Sequence, residues 1–333
     1  MTLIVTRTSG LYALMATDRK VTKDGVLFDP DANKNIIFGD KNAVVAIGYT
    51  GMAYIGSIPT DQWIVQTLTG LTFPEGPHGR GDLPTFSFVQ YDVEYLGVRL
   101  RNLRDRLNDV RPLVLKKYRD QWTAHPFDLL ITGWESNHGN NRPYLVALSK
   151  PRDSNLFEFC GFDRHWHRPR GGRFPVRMAA APTENVSTDE LRSVQRRLNS
   201  VWGDGHGTPD EQAAHAEELI AEIIQDVSAR LSAVGPDVMS IRISSPAITD
   251  PTIRVRYIPA GRDQGIIVAG EKKTIVRVAF SPWVVSPGCI RSPAVFTNLV
   301  FESQCGPYRV VIEDPPAHGM PRIVSSQERP AIE

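Results

Sequence analysis

The residue with the clearest chemical potential is Thr2, which directly follows the initiator methionine. Cells normally remove a methionine that precedes a small residue, so the mature chain is expected to begin with Thr2. Its hydroxyl and its own α-amine then form a nucleophile with a built-in base, because the ordinary α-amine pKa is about 7.7–8.0. Many unrelated chains also begin Met-Thr, so Thr2 alone does not predict an enzyme.

Four further residues stand at strand ends and turns, at defined distances from Thr2. With Thr2 counted as the first residue, Asp18 is the seventeenth, Thr22 the twenty-first, Lys34 the thirty-third and Gly48 the forty-seventh. An acid, a lysine and a glycine around a hydroxyl nucleophile can lower the cost of its deprotonation and stabilise an oxyanion. The spacing therefore favours nucleophilic catalysis more strongly than any one residue does.

This pattern resembles the β subunits of the proteasome and the simpler bacterial proteasome-like peptidase that partners an ATP-driven unfoldase. In that family the N-terminal threonine, the aspartate, the lysine and the glycine stand at the same offsets. Later in the chain, Asp237 and Ser240 form an Asp-x-x-Ser pair where a predicted helix leads into a strand. This pair is similar to the one that supports the nucleophile in the family.

The resemblance is in register over the first sixty residues and extends over residues 127–258 only in the order of elements. Ala-Ala-Ala-Pro-Thr at 179–183 stands where the family has a Gly-Ser-Gly turn, and the loops at 72–87 and 160–177 look enlarged. The minimal bacterial enzyme has no counterpart of the segment after Ile258. The pattern supports the active site more strongly than it supports a ring assembly.

The resemblance implies a role for each member of the site. Thr2 Oγ would attack a carbonyl, and its own α-amine would take the proton directly or through a water molecule. Lys34 would favour that deprotonation by its charge, while Asp18 would hold the ammonium in place. The Gly48 N–H would face the developing oxyanion.

The remaining members of the predicted site bind the substrate or orient the amine. Thr22 and Thr50 are predicted to bind an extended substrate, which adds to the site as a strand. Asp237 and Ser240 are predicted to orient the α-amine from behind. The reaction implied is hydrolysis of an amide or peptide bond through a threonyl ester, with no metal and no organic cofactor.

The elements that must position these residues alternate between strands and helices. Strands are predicted over most of residues 2–47, followed by a helix capped at 59–61 and a second one over 92–109. Three strands over 127–159, the first two separated by a polar loop at 135–141, precede two capped helices that begin at Ser187 and Thr208. Antiparallel strands with helices grouped between them favour an α+β fold over a doubly wound parallel sheet. With the family resemblance, this predicts a four-layer αββα sandwich of the N-terminal-nucleophile (Ntn) hydrolase type.

The composition of the chain is consistent with this prediction. The 333 residues include 41% hydrophobic residues and carry a net charge of +1, so they suit a folded chain without a strong overall field. We predict an Ntn-hydrolase domain over 1–258 and a β-rich C-terminal extension over 259–333, with a strand at 275–280. The edges of such strands must be covered, which favours a homo-oligomer.

Several expectations concern location and partners. The three distant cysteines fit neither a disulfide framework nor a zinc site, and no membrane span is visible, which predicts a cytoplasmic protein. The expected partners are a peptide or amide substrate, further copies of the chain and an ATP-dependent unfoldase. We expect no membrane partner and no nucleic acid. Cys160 is interpreted as a core residue.

Two alternatives remain open at this level. The first keeps the fold but cleaves small amides instead of peptides. The second is a catalytically silent scaffold in which Asp18, Lys34 and Asp237 form a structural ion network. In that alternative, the basic stretch 164–177, which contains His-Trp-His at 165–167, binds a nucleic acid or a protein partner.

Overall fold

The computed structural model describes residues 2–23, 26–29, 32–73, 91–113, 122, 127–137, 140–151, 154–160, 177–203, 208–260, 282–287, 289–291, 293, 301–305 and 308–313. It confirms a mixed α/β chain with two large sheets. Most of the predicted loops at 72–87 and 160–177, and all of the predicted strand at 275–280, lie outside the described residues.

Eighteen strands and four helices make up the described part of the chain. The strands are β1 Ile4–Thr8, β2 Tyr12–Asp18, β3 Val21–Lys23, β4 Val26–Asp29, β5 Asn35–Asp40, β6 Ala43–Thr50, β7 Tyr54–Ile55, β8 Ile58–Pro59, β9 Phe127–Asn137, β10 Asn140–Lys150, β11 Glu158–Cys160, β12 Arg177–Ala181, β13 Val238–Ser244, β14 Thr252–Ile258, β15 Trp283–Ser286, β16 Cys289–Arg291, β17 Phe301–Cys305 and β18 Tyr308–Glu313. The helices are α1 Thr60–Thr69, α2 Leu96–Asn108, α3 Thr188–Gly203 and α4 Pro209–Arg230.

The large strands form two seven-stranded sheets. Sheet I has the order β12-β1-β2-β13-β14-β18-β17, and sheet II has the order β11-β10-β9-β6-β5-β15-β16. Two short ladders, β3 with β4 and β7 with β8, stand apart from these sheets. β1 and β2 are therefore interior strands of sheet I, and β5 and β6 are interior strands of sheet II.

Three apolar clusters show how the layers pack. The inward residues of both sheets, among them Ile4, Met15 and Ile37, form one cluster. A second cluster joins the other face of sheet II to α1 and α2, and a third joins the outer face of sheet I to α3 and α4. The alternation of strand side chains thus supplies a buried surface to each face of both sheets.

Helices α3 and α4 begin at the predicted caps, whereas α1 has no side-chain cap at Pro59 and α2 begins at Leu96 instead of 92. The Thr208 hydroxyl accepts from the Glu211 N–H, and the Glu211 carboxylate accepts from the Thr208 N–H, which completes a capping box at α4. Ser187 and Glu190 make the same reciprocal contacts at the start of α3, with distances of 2.7 and 3.1 Å. The four leucines at helical spacing in α2 are all buried.

Strands from beyond residue 258 extend both sheets. β15 pairs in parallel with β5, with Trp283 opposite Ile36, and β18 pairs in parallel with β14. The division into domains at 258 stays a prediction, and in the described ranges the extension adds strands to the sheets of the preceding segment.

Two local expectations are wrong. The segment 135–141, predicted as a polar loop, belongs mostly to β9 and β10, because the two strands pair up to Asn137 and Asn140. Cys160 is exposed at the end of β11 instead of lying in the core. Among the helices that the structure describes, none has the length and apolar character needed to cross a membrane.

Candidate active site

The Asp18 carboxylate is the centre of the candidate site. It lies at the end of β2, is fully buried, and accepts hydrogen bonds on both oxygens. Oδ1 accepts from the Leu3 N–H at 2.7 Å, while Oδ2 accepts from Lys34 Nζ at 3.1 Å. Oδ2 also accepts from the N–H groups of Lys20 at 3.1 Å and Gly235 at 2.9 Å. One side chain therefore holds the segment next to Thr2, the start of β5 and the approach to β13.

Lys34 lies at the entry to β5 and is as deeply buried as its partner. Its ammonium is paired with Asp18 and also donates to the backbone carbonyl of Lys20. A buried ammonium needs such partners, because desolvation of an unpaired charge is costly. The predicted contact between Asp18 and Lys34 is thus present in the structure, and Asp18 also binds the N–H of Leu3, the residue after Thr2.

Thr2 is buried and is held through its backbone. Its carbonyl accepts a hydrogen bond from Thr50 Oγ1 at 3.0 Å, and Thr50 ends β6. This contact brings together two residues that the sequence placed in the same site. Thr50, predicted to bind substrate, here fixes the main chain of Thr2.

Gly48 lies on β6 and packs closely against β1 and β2 of sheet I. A Cβ atom on this residue would stand 2.9 Å from Met15 Sδ and 3.2 Å from Ile4 Cγ2. The Tyr49 N–H donates to the Lys34 carbonyl at 3.3 Å. Because successive N–H groups of a strand point to opposite sides, this turns the Gly48 N–H towards β9. The glycine is required for packing here, and its oxyanion role stays a prediction.

Asp237 stands immediately before β13, near the donors that surround the Asp18 carboxylate. The loop before it passes so close that a Cβ on Gly235 would lie 2.6 Å from Lys20 Cβ and 3.3 Å from Asp18 Oδ2. Asp237 is buried, and its Oδ1 accepts from the Ala260 N–H at 3.1 Å. The Gly235 N–H thus connects this segment to Asp18, and the role of Asp237 at the α-amine stays a prediction.

Ser240 is bound to a different partner from the one predicted. Its hydroxyl donates to Glu217 Oε1 on α4 at 3.0 Å, and Arg256 donates to Glu217 Oε2 at 3.1 Å. Burial raises the pKa of the Glu217 carboxyl, against the opposing effect of Arg242, Arg256 and the Ser240 hydroxyl. Ser240 faces the helices, because the neighbouring Met239 lies in the cluster between the sheets.

Thr22 lies in β3, opposite Leu27 of β4. Its side chain lies outside the described residues, so its predicted contact with substrate stays a prediction. Asp128, which was not among the predicted residues, stands opposite Thr50 in the ladder between β6 and β9. Burial raises the pKa of the Asp128 carboxyl, while the Ser149 hydroxyl and the Lys150 charge lower it.

A further polar chain supports the segment that carries Lys34, and sequence reasoning missed it. Asn33 Nδ2 donates to Asp61 Oδ2 at 3.0 Å, and Trp283 Nε1 donates to the same oxygen at 3.1 Å. Asn33 and Asp61 were visible as polar residues at a strand start and in a first helical turn. Nothing local connects them to a tryptophan more than two hundred residues away.

Comparisons with known proteins give a weak likeness at the level of the fold. No family model matches the chain, and no curated protein matches it. Among solved structures, it is similar to a Gly-1 mutant of Anbu from Hyphomicrobium sp. strain MC1, a bacterial proteasome-like protein. The TM-score is 0.44 at 13% identity, over 79% of this chain and 89% of the other.

Proposed function

We propose that this chain is a hydrolase that cleaves amide or peptide bonds with Thr2 as its N-terminal nucleophile, after removal of Met1. We also propose that the two sheets and their helix pairs form a four-layer αββα sandwich of the Ntn-hydrolase type. The observation that carries the proposal is the Asp18 carboxylate. Its two oxygens connect the N–H of the residue after Thr2 with the ammonium of Lys34.

The chemistry follows from this arrangement. Thr2 Oγ attacks the substrate carbonyl while its proton passes to the Thr2 α-amine, directly or through a water molecule. The Lys34 charge, held by Asp18 in a buried setting, stabilises the negative charge that develops on the attacking oxygen. The protonated amine then gives its proton to the leaving amine, and water hydrolyses the threonyl ester.

The positions around Thr2 support binding of an extended substrate. Thr50 holds the Thr2 carbonyl at 3.0 Å, which restricts where the nucleophile can move. We propose that Thr22, on the short β3–β4 ladder, pairs with the substrate backbone. A homo-oligomer and an ATP-dependent unfoldase remain part of this proposal, as does a cytoplasmic setting.

The decisive experiment measures the N-terminus and its reactivity together. Intact mass should show loss of Met1, and incubation with a threonine-reactive β-lactone or epoxyketone should add one probe per chain. The Thr2→Ser variant should still react, whereas the Thr2→Ala variant should not. Because the Thr50 contact uses the Thr2 backbone carbonyl, Thr2→Ala should leave the melting temperature nearly unchanged. Equal labelling of Thr2→Ala and the natural chain would overturn the proposal.

A second candidate is a catalytically silent scaffold, and a specific observation favours it. Of the four donors to Asp18, three are backbone N–H groups, from Leu3, Lys20 and Gly235. A carboxylate that joins three segments has a structural role whether or not catalysis occurs. Retention of Met1 in the purified chain, together with no labelling by the probe, would select this candidate.

A further inference from the structure

The C-terminal segment contributes a buried tryptophan to sheet II, beside the strand that follows Lys34. Trp283 begins β15, which pairs in parallel with β5 directly after Lys34. Its indole is stacked on Phe73, with ring centroids 5.6 Å apart and an angle of 11° between the planes. Strand pairing and stacking together fix the direction of the indole N–H.

That N–H is directed at Asp61 in the first turn of α1. Trp283 Nε1 and Asn33 Nδ2 donate to the same oxygen, Asp61 Oδ2, at 3.1 and 3.0 Å. All three residues are buried, so water cannot replace either donor without opening the structure. Hydrogen bonds to a buried carboxylate are among the stronger ones in proteins, and loss of one partner is costly.

Asn33 in turn controls the backbone that leads into Lys34. Its side-chain Oδ1 accepts from the Asn35 N–H at 3.3 Å, so its amide spans the lysine position. Its backbone carbonyl accepts from the Tyr49 hydroxyl at 3.0 Å, and the Lys34 carbonyl accepts from the Tyr49 N–H at 3.3 Å. A rotation of the Asn33 side chain would therefore change the direction in which Lys34 leaves the main chain.

We propose that Trp283 is a positioning residue for Lys34, acting through Asp61 and Asn33, so that the segment after residue 258 completes the active site. The proposal rests on the proposed function, in which Lys34 is catalytic. It gives the extension a role in the reaction itself, in addition to its role in covering the sheets.

The test compares two tryptophan variants. Trp283→Phe keeps an aromatic ring for stacking on Phe73 and removes the N–H. Trp122→Phe is the matched control, because Trp122 is equally buried and donates to the Asn155 carbonyl at 3.3 Å, away from Asn33. We expect Trp283→Phe to lower kcat by about tenfold, a loss of about 1.4 kcal/mol, with KM nearly unchanged. Trp122→Phe should lower the melting temperature without this loss of kcat.

A second measurement separates the positioning role from the proposed function. The titration of the Lys34 side chain can be followed by NMR with ¹³C-labelled lysine, assigned by the signal missing in Lys34→Arg. The pH midpoint of this titration should shift in Trp283→Phe and in Asp61→Asn and should stay constant in Trp122→Phe. If Trp283→Phe does not fold, Asp61→Asn carries the same test at the other end of the hydrogen bond.

The outcomes distinguish the two proposals. A shifted Lys34 titration in a chain that hydrolyses nothing would support positioning and contradict the proposed function. An unchanged titration with kcat at the natural level would overturn the role of Trp283, even in an active enzyme. In the double variant Trp283→Phe with Asp61→Asn, the losses should not add, because both changes remove the same contact.

Discussion

Replacement of Asp18 by asparagine should affect folding and catalysis together. Three of the four donors to this carboxylate bind Oδ2, and the Lys34 ammonium is one of them. The amide oxygen of an asparagine is therefore expected to stay at that position, and its NH₂ group would face the Leu3 N–H. Two donors would then confront each other where Oδ1 now accepts at 2.7 Å.

The magnitude follows from the contacts that are lost. Removal of one partner of a buried ion pair costs about 3–5 kcal/mol, and a buried N–H without an acceptor costs about 1–3 kcal/mol. Lys34 still donates to the Lys20 carbonyl, so the lower end of both ranges applies. We expect the free energy of unfolding to fall by about 4 kcal/mol, out of a total that is about 5–15 kcal/mol for most domains.

Urea unfolding followed by circular dichroism measures this loss. Lys34→Met added to Asp18→Asn should recover more than about 1 kcal/mol, because the buried ammonium is then absent as well. Asp40→Asn is the control for catalysis. Asp40 is also a fully buried carboxylate, which accepts from the Lys41 N–H and from Arg99 Nε at 2.8 and 2.9 Å.

Asp40→Asn should reduce stability and leave the hydrolysis rate unchanged, whereas Asp18→Asn should abolish hydrolysis. The reasoning is refuted if Asp18→Asn loses less than about 1 kcal/mol, or if the losses of Asp18→Asn and Lys34→Met simply add. Either result would mean that the carboxylate does not hold the ammonium in the folded chain.

Four further predictions concern the surroundings of this pair. Lys34→Arg should be folded but inactive in a peptide or amide hydrolysis assay, because a guanidinium is broader and cannot take the position of the ammonium beside Asp18. Activity at the natural rate would show that a positive charge alone is sufficient. Thr50→Val should lower the free energy of unfolding, measured in urea, by about 1 kcal/mol and should reduce the labelling rate of Thr2. Unchanged labelling would show that the Thr50 hydroxyl does not position Thr2. Gly235→Ala should cost about 1–3 kcal/mol in the same unfolding assay, since its Cβ would lie 2.6 Å from a neighbouring Cβ, and a neutral effect would contradict the close approach. Burial raises the pKa of Glu217, so the folded state binds the proton of this carboxyl more tightly than the unfolded state does. As the pH rises above about 4.3, the ordinary pKa of a glutamate, the natural chain should therefore lose stability relative to Glu217→Gln. A difference in stability that does not depend on pH would contradict this.

Local patterns account for much of the secondary structure and for part of the site. The capping boxes formed as predicted at Ser187 and Thr208, and α2 formed with its four leucines on the buried side. Each of these features depends on residues three or four positions apart. The contact between Asp18 and Lys34 was also predictable, since both stand at the ends of strands in the spacing of a known family. Loop bounds were less predictable, and the polar segment 135–141 became strand because pairing between neighbouring strands outweighed its composition.

The mixed α/β class and the pairing of Asp18 with Lys34 close to Thr2 were thus predictable from residue types and spacing. The contacts of Ser240 with Glu217 and of Trp283 with Asp61, over separations of 23 and 222 residues, depend on the tertiary structure. The reason is geometric: the side of a sheet on which a residue lies follows from strand alternation, but its partner depends on which helix or distant strand covers that side. A polar group buried on that side needs a hydrogen-bond partner, and the local spacing of the sequence does not specify which residue supplies it.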